Sequence, residues 1–181
     1  MKKLNHTNVV RLVEVIDPPN DDKLILMLDF CANGEILDWD EVTARFRPYS
    51  ESEEEFSESQ IRQFMRDLIE GLDHLHKSEI CHRDIKPMNI LVDQNNVVMF
   101  SDFGSSDFFK SSDNDFFTDE AGTYEFMAPE MCDSEITRYS GTKADIWALG
   151  IVLYAMTFNV LPFDTKEGEN ETHLFNKIMT Q

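Results

Sequence analysis

The chain has 181 residues, enough for one domain with a sizeable core, and 41% of them are hydrophobic, which favours folding over disorder. The formal net charge of −19 repels nucleic-acid phosphates and anionic lipid and suits basic peptides as partners, with plain solubility as the alternative use of that charge. No apolar run reaches the ~18 residues of a membrane span, and MKKLNHTNVV lacks the apolar core of a secretory signal. Cys31, Cys81 and Cys132 are odd in number and lack a C-x-x-C spacing, so a reduced, cytoplasmic setting is expected rather than a disulfide framework.

In chain order, residues 8–16 (NVVRLVEVI) and 23–31 (KLILMLDFC) read as an antiparallel pair of strands joined by the turn DPPNDD. Residues 32–56 show little periodicity and a run of carboxylates, which predicts a partly mobile connection with one short helical turn. Ser57 and Gln60 form a capping box. Ile61, Phe64, Met65, Leu68, Ile69, Leu72 and Leu75 then recur at helical spacing to about Lys77, a core helix. ILV at 90–92 and VVMF around DQNN predict a hairpin. Residues 104–127, rich in Ser, Asp and Phe, predict a long functional loop. Residues 142–158 are apolar almost all round, as in a buried helix that LPF at 161–163 ends; ETHLFNKIMTQ begins another amphipathic helix.

The chemistry gathers in ICHRDIKPMNILV, residues 80–92, where His82, Arg83, Asp84, Lys86 and Asn89 share one short loop between apolar runs. Asp102, Phe103 and Gly104 (DFG) follow the hairpin, and Ala128, Pro129 and Glu130 (APE) close the long loop. HLHKSEICH holds His74, His76, Cys81 and His82, but helix positions two apart do not face each other, so zinc is set aside. His82 is read instead as a structural hydrogen-bonding residue under the loop, and Cys31 and Cys81 as small apolar residues.

HRDIKPMN, DFG and APE, in this order, resemble the catalytic-loop, metal-binding and loop-closing signatures of protein kinases. The resemblance covers nearly the whole chain. LNHTNVVRLVEVIDPPNDDKLILMLDF, GTYEFMAPE and YSGTKADIWALGIVLY resemble the calcium/calmodulin-dependent protein kinase kinases most. It implies an α+β, protein-kinase-like fold, mainly the helical C-lobe with the hinge and the last N-lobe strands. Residues 1–31 would be the N-lobe remnant and 32–181 an incomplete C-lobe.

The implied activity is transfer of the ATP γ-phosphate to Ser/Thr hydroxyls of protein substrates in a signalling cascade. ATP and Mg²⁺ are implied, with other kinases as possible partners and calmodulin for the full-length protein alone. In phosphoryl transfer, positioning and charge compensation do most of the work. Asp84 would orient or accept the hydroxyl proton, and Lys86, followed by Pro87 in the serine/threonine form, would face the transferred phosphate. Asn89 and Asp102 would offer hard oxygens to Mg²⁺. Thr123 matches the threonine beside the catalytic Asp, and Asp145 resembles the Asp that anchors the catalytic loop. Leu28 falls at the gatekeeper, Asp29 and Cys31 at the adenine-bonding hinge, Glu35 at a ribose or substrate contact, and Leu91 under adenine. Plain core packing is an equal alternative for Leu28, Leu91 and Val92.

Asp119 stands three residues before Gly122, where many kinases carry an activating phosphothreonine; it is read as a phosphate mimic facing Arg83, or as one more solvated carboxylate. Thr118 is the alternative phosphosite. No Gly-rich loop, strand lysine in a V-A-I-K context or helix αC glutamate is present, and Lys2 and Lys3 come too late to supply that lysine. Glu130 is expected to lack a buried arginine partner. The alternative function is a truncated kinase-like module without activity that binds partners.

Overall fold

The computed structural model describes residues 4–19, 23–50, 52, 54–110, 114–165 and 169–180. Lys2, Lys3, the 20–22 part of the first turn and two positions of the acidic run, 51 and 53, lie outside the described residues.

β1 (Leu12–Ile16) and β2 (Ile25–Leu28) pair antiparallel, Ile16 opposite Ile25 and Leu12 opposite Leu28, and form a sheet of their own. The strands are shorter than the apolar runs that announce them. Every residue of β2 is exposed, and Phe30 just beyond is 84% exposed. The preceding segment is tied down instead: Val9 and Val10 are buried, and Asn8 Nδ2 donates to the Val98 carbonyl at 2.9 Å.

The expected helical turn within 32–56 is replaced by strands. β3 (Gly34–Glu35) is followed by a hairpin of β4 (Leu37–Asp40) and β5 (Arg45–Pro48), Trp39 opposite Phe46. Leu37, Phe46 and Pro48 turn into the core, a period of two that the carboxylates obscured. Asp40 accepts from the Val42 and Thr43 amides, pairs with Arg47 and so shapes a turn in which Ala44 takes a φ of 50°.

α1 (Glu58–Lys77) begins at the expected capping box: Ser57 Oγ accepts from the Gln60 amide, and Gln60 Oε1 accepts from the Ser57 amide. Its buried stripe of Phe64, Leu68, Leu72 and Leu75 joins Ile36, Ile90, Val98 and Phe100 in the main core. β6 (Ile80–Cys81) leads into the catalytic-loop segment. β7 (Ile90–Val92) and β8 (Val98–Phe100) form the expected hairpin, with β3 on the other edge of β7. Within residues 104–127, β9 (Asp107–Phe108) pairs with β6, and β10 (Phe116–Phe117) pairs later with β11.

α2 (Pro129–Cys132), β11 (Tyr139–Ser140), α3 (Gly141–Phe158) and α4 (Glu171–Thr180) complete the order. Asn159, with φ 59°, caps α3 three residues before Pro162, so a left-handed asparagine rather than LPF ends the helix. α3 is also not buried all round. One face, with Ala144, Ala148, Val152 and Ala155, enters the core, while Ile146 is 61% exposed and Leu153 and Phe158 face outward. Among the described residues no helix is long and apolar enough to cross a membrane.

His6 and His74 stack at 4.8 Å, and His74 Nε2 is buried without a partner. Burial first, then the His6 imidazole, pushes His74 below the usual histidine range. A histidine depressed in the folded state contributes stability that is present above about pH 6.5 and lost as pH falls toward its folded value. Denaturant midpoints should therefore fall on acidification below about 6.5, and His74→Gln should flatten that slope. Truncating Leu68, which is fully buried, to alanine should lower the unfolding free energy by about 2–5 kcal/mol.

Candidate active site

A 3-10 turn at Pro87–Asn89 carries the loop 82–89 from β6 into β7, and four of its expected site residues meet there and at Thr123. Thr123 Oγ1 donates to Asp84 Oδ1 at 2.8 Å and accepts from Lys86 Nζ at 2.8 Å. Lys86 Nζ also lies 2.9 Å from Asp84 Oδ2. Asn89 Nδ2 donates to Asp84 Oδ2 at 2.9 Å and to the Asp84 carbonyl at 2.8 Å. Burial raises the Asp84 carboxyl, but hydrogen bonds from Lys86, Thr123 and Asn89 and the charge of Lys86 outweigh it and hold the group below the usual carboxylate range. Asp84 is therefore an ionised acceptor at neutral pH.

Beneath the loop lies Asp145 of α3, 1% exposed. Its Oδ1 accepts from the Arg83 amide at 2.8 Å, and its Oδ2 accepts from the His82 amide at 2.9 Å and meets His76 Nε2 at 2.9 Å. His82 is fully buried, its Nε2 2.9 Å from the Ser101 carbonyl and its ring against Phe100 and Phe103. Ser101 in turn donates from N and Oγ to the Asn89 carbonyl. Asp102 thus follows a residue fixed to Asn89; its own carboxylate is exposed, accepts from the Gly104 amide and sits on a φ of 52°.

The residues expected around a nucleotide base are arranged differently. Glu35 in β3 lies opposite Leu91 in β7, and burial, then Asp38, raises the Glu35 carboxyl. Cys31 is buried and its carbonyl accepts from Gly34 at 3.3 Å. Asp29 spends its amide on the Arg11 carbonyl and its carboxylate on the Arg11 guanidinium, and Leu28 ends β2, half-exposed. Among the described residues no hydrogen bond or ion pair joins Leu28, Asp29 or Cys31 to the Asp84 group.

The sequence searched against known families matches the model described as "Protein kinase domain" over residues 1–181. The chain belongs to the protein kinase domain family. The kinase domain is 40% identical to a calcium/calmodulin-dependent protein kinase kinase of Caenorhabditis elegans, over 90% of this chain and 28% of that protein. It is 37% identical to a probable serine/threonine-protein kinase of Dictyostelium discoideum, over 92% of this chain and 22% of the relative. To the serine/threonine-protein kinase ssp1 of Schizosaccharomyces pombe it is again 37% identical, over the whole chain and 27% of the relative. The chain thus spans about a quarter of the length of the curated relatives it matches. The mixed α/β architecture, with its small sheets and several helices, is consistent with the kinase fold expected from the sequence.

Two features of the kinase domain escaped the sequence reading. Asp115, buried, takes hydrogen bonds on Oδ2 from the Ser140 hydroxyl at 2.5 Å, the Thr142 amide at 3.2 Å and the Thr142 hydroxyl, while its carbonyl accepts from Gly141. It fastens the long loop to the start of α3, and nothing in a run of Ser, Asp and Phe marks it. The second is a cluster: His76, Cys81 and Asp145 have ligand atoms within 4.8 Å of one another, although the sequence reading had set a metal aside. Both Asp145 oxygens are committed to loop amides, and burial, above all, pushes the Cys81 thiol far up, so the trio is a hydrogen-bonded anchor rather than a thiolate site. Among the described residues no ion pair engages Glu130, which instead helps burial push the Cys132 thiol up to about 11.

Gly122 holds Thr123 in place. Its φ is 99°, and a Cβ there would stand 2.6 Å from the Arg83 carbonyl oxygen. Gly122→Ala should destabilise the fold by about 1–3 kcal/mol and disrupt the Thr123–Asp84 hydrogen bond, as melting curves and the loss of amide protection around Thr123 would report.

Proposed function

We propose that the chain is the catalytic part of a serine/threonine protein kinase that transfers the γ-phosphoryl group of ATP to Ser or Thr hydroxyls of protein substrates. The carrying observation is the closed set of Asp84, Lys86, Asn89 and Thr123 in a chain of this family. Asp84, ionised and fixed by three side chains, is placed to orient the attacking hydroxyl and take its proton. Lys86 brings positive charge to the same point. Thr123 spans the two and keeps them from collapsing into a bare ion pair.

The donor chemistry also fits a divalent cation of the Mg²⁺ type. Asn89 commits its Nδ2 to Asp84, which leaves Oδ1 as the ligating end of the amide, and Asp102 offers an exposed carboxylate on the adjoining segment. Such an ion, when bound, supplies charge compensation at the phosphates. Leu28, Asp29, Cys31, Glu35 and Leu91 are proposed as the base and ribose side of the nucleotide site, with residues 1–31 as the N-lobe part and 32–181 as the C-lobe. Three unpaired, buried cysteines support a reducing, cytoplasmic setting.

The relatives' printed names include a protein kinase kinase and an SNF1-activating kinase, which supports a substrate that is itself a protein kinase and a place in a signalling cascade. Two clefts of about 440 and 470 Å³ flank Thr123, lined in part by Glu120 and Glu125 and by Glu125, Glu169 and Glu171. With the net charge of −19 they favour acceptor peptides with basic residues beside the hydroxyl. The second reading, a partner-binding module without turnover, is favoured by the exposed apolar β2.

Calorimetry with Mg·ATP and a peptide phosphorylation assay decide between them. Asp84→Asn should lower kcat roughly 10²–10⁴-fold, and Asp102→Asn should abolish nucleotide-dependent metal binding. A chain that binds no Mg·ATP and phosphorylates nothing would favour the module. Glu125→Gln should weaken a preference for Arg-flanked acceptors by about 2–5-fold, the range of exposed ion pairs, as kcat/KM on paired peptides would show.

A further inference from the structure

The loop and the segment that faces it are clamped at two points. Arg83 and Asp84 are consecutive, and so each grips a different end of residues 119–123. Asp84 takes the hydroxyl of Thr123, and Arg83 Nη2 takes Asp119 Oδ2 at 2.6 Å. Between the two grips, Gly122 passes against the Arg83 carbonyl where no side chain fits.

The Arg83 end of the upper grip is buried and the Asp119 end is open: 4% of the arginine side chain is exposed and 66% of the aspartate's. Arg83 stands on a left-handed backbone with φ 68°, its amide held by Asp145 and its guanidinium 4.5 Å over the Phe117 ring. A buried guanidinium held this way demands an anion. Asp119 supplies it, with Asp107 Oδ2 as a more distant second at 3.7 Å and Tyr139 OH donating to the Asp119 carbonyl at 3.3 Å. The hydrogen bond from Arg83 also holds the Asp119 carboxyl below its usual range. The remaining donor of Arg83, Nε, is buried without a partner, and the cavity that Arg83 lines, about 20 Å³, has room for about one water and none for a phosphate group.

We infer that Asp119 is a positioning residue, a permanent anion that holds Arg83 and keeps Thr123 registered on Asp84, so that the segment needs no phosphate to reach its working arrangement. Thr118, exposed beside it, is then not an activating site: the guanidinium seat is already filled, and a phosphate on Thr118 would have to displace Asp119 to use it. The activity arms below rest on the kinase reading, and the exchange arm does not.

The test compares Asp119→Ala, Asp119→Glu and Thr118→Ala by hydrogen exchange over residues 114–124 and by peptide phosphorylation. Asp119→Ala should deprotect those amides and lower kcat by roughly 10²-fold, the cost of misplacing a reacting group by about an ångström, with the KM for ATP little changed. Because the aspartate side is open to solvent, millimolar sulfate should restore protection and activity in Asp119→Ala, while chloride at equal ionic strength should not. Asp119→Glu should recover part of both, and Thr118→Ala should change neither. Unchanged exchange in Asp119→Ala, or activity in the unaltered chain that appears only when Thr118 is phosphorylated, would overturn the inference. If no variant and not the parent phosphorylates peptide, the kinase reading fails, and the exchange and sulfate results still decide the role of Asp119.

Discussion

One buried carboxylate sets the geometry on which everything else rests. Asp145 sits on α3 with 1% of its surface exposed and converts its two oxygens into a template for the loop above it, receiving the amides of His82 and Arg83 and the ring nitrogen of His76. A buried charge is tolerated only when its hydrogen-bonding capacity is met, so the loop is compelled to present those two amides downward. With them fixed, Arg83 is driven into a left-handed backbone and its side chain toward the long loop, while Asp84 follows on the open side. The helix that bears Asp145 is itself started by Ser140 and tied to the long loop by Asp115.

Charge is handled differently at each depth of this assembly. At the bottom, Asp145 meets neutral amides and an imidazole. In the middle, Arg83 is buried against carboxylates that remain open to water. At the surface, Asp84 and Lys86 face each other across a threonine hydroxyl, both partly accessible. The gradient keeps the fixed charges away from the reacting position and leaves there the two groups whose charge a phosphoryl transfer would use.

The part of this that could be read from the sequence is the part whose spacing is local. HRDIKPMN places Asp84, Lys86 and Asn89 within one turn and its approaches, and the α1 stripe and its capping box are both written within four residues of each partner. The β4–β5 hairpin was hidden because its turn uses Asp40, Ala44 and an Arg47 pair in place of Gly or Asn-Gly, although Leu37, Phe46 and Pro48 alternate correctly. Asp115 was hidden for another reason: its partners lie 25 and 27 residues on, and a single acceptor among several similar acidic residues has no period. The outward face of α3 misled because apolar composition shows that a helix has faces to cover and not which of them this stretch of chain covers.

That outward face has a colloidal consequence. Ile146, Leu153 and Phe158 on α3, with the exposed row of β2, are short-range adhesive surface on a molecule whose net charge of −19 repels its copies at longer range. Adhesion acts at contact, whereas repulsion reaches only about a Debye length, ~30 Å in 0.01 M salt and ~8 Å at 0.15 M. The balance between dispersed and self-associated chains is therefore set by ionic strength as much as by concentration, and salt acts on this protein as a dial on its solubility.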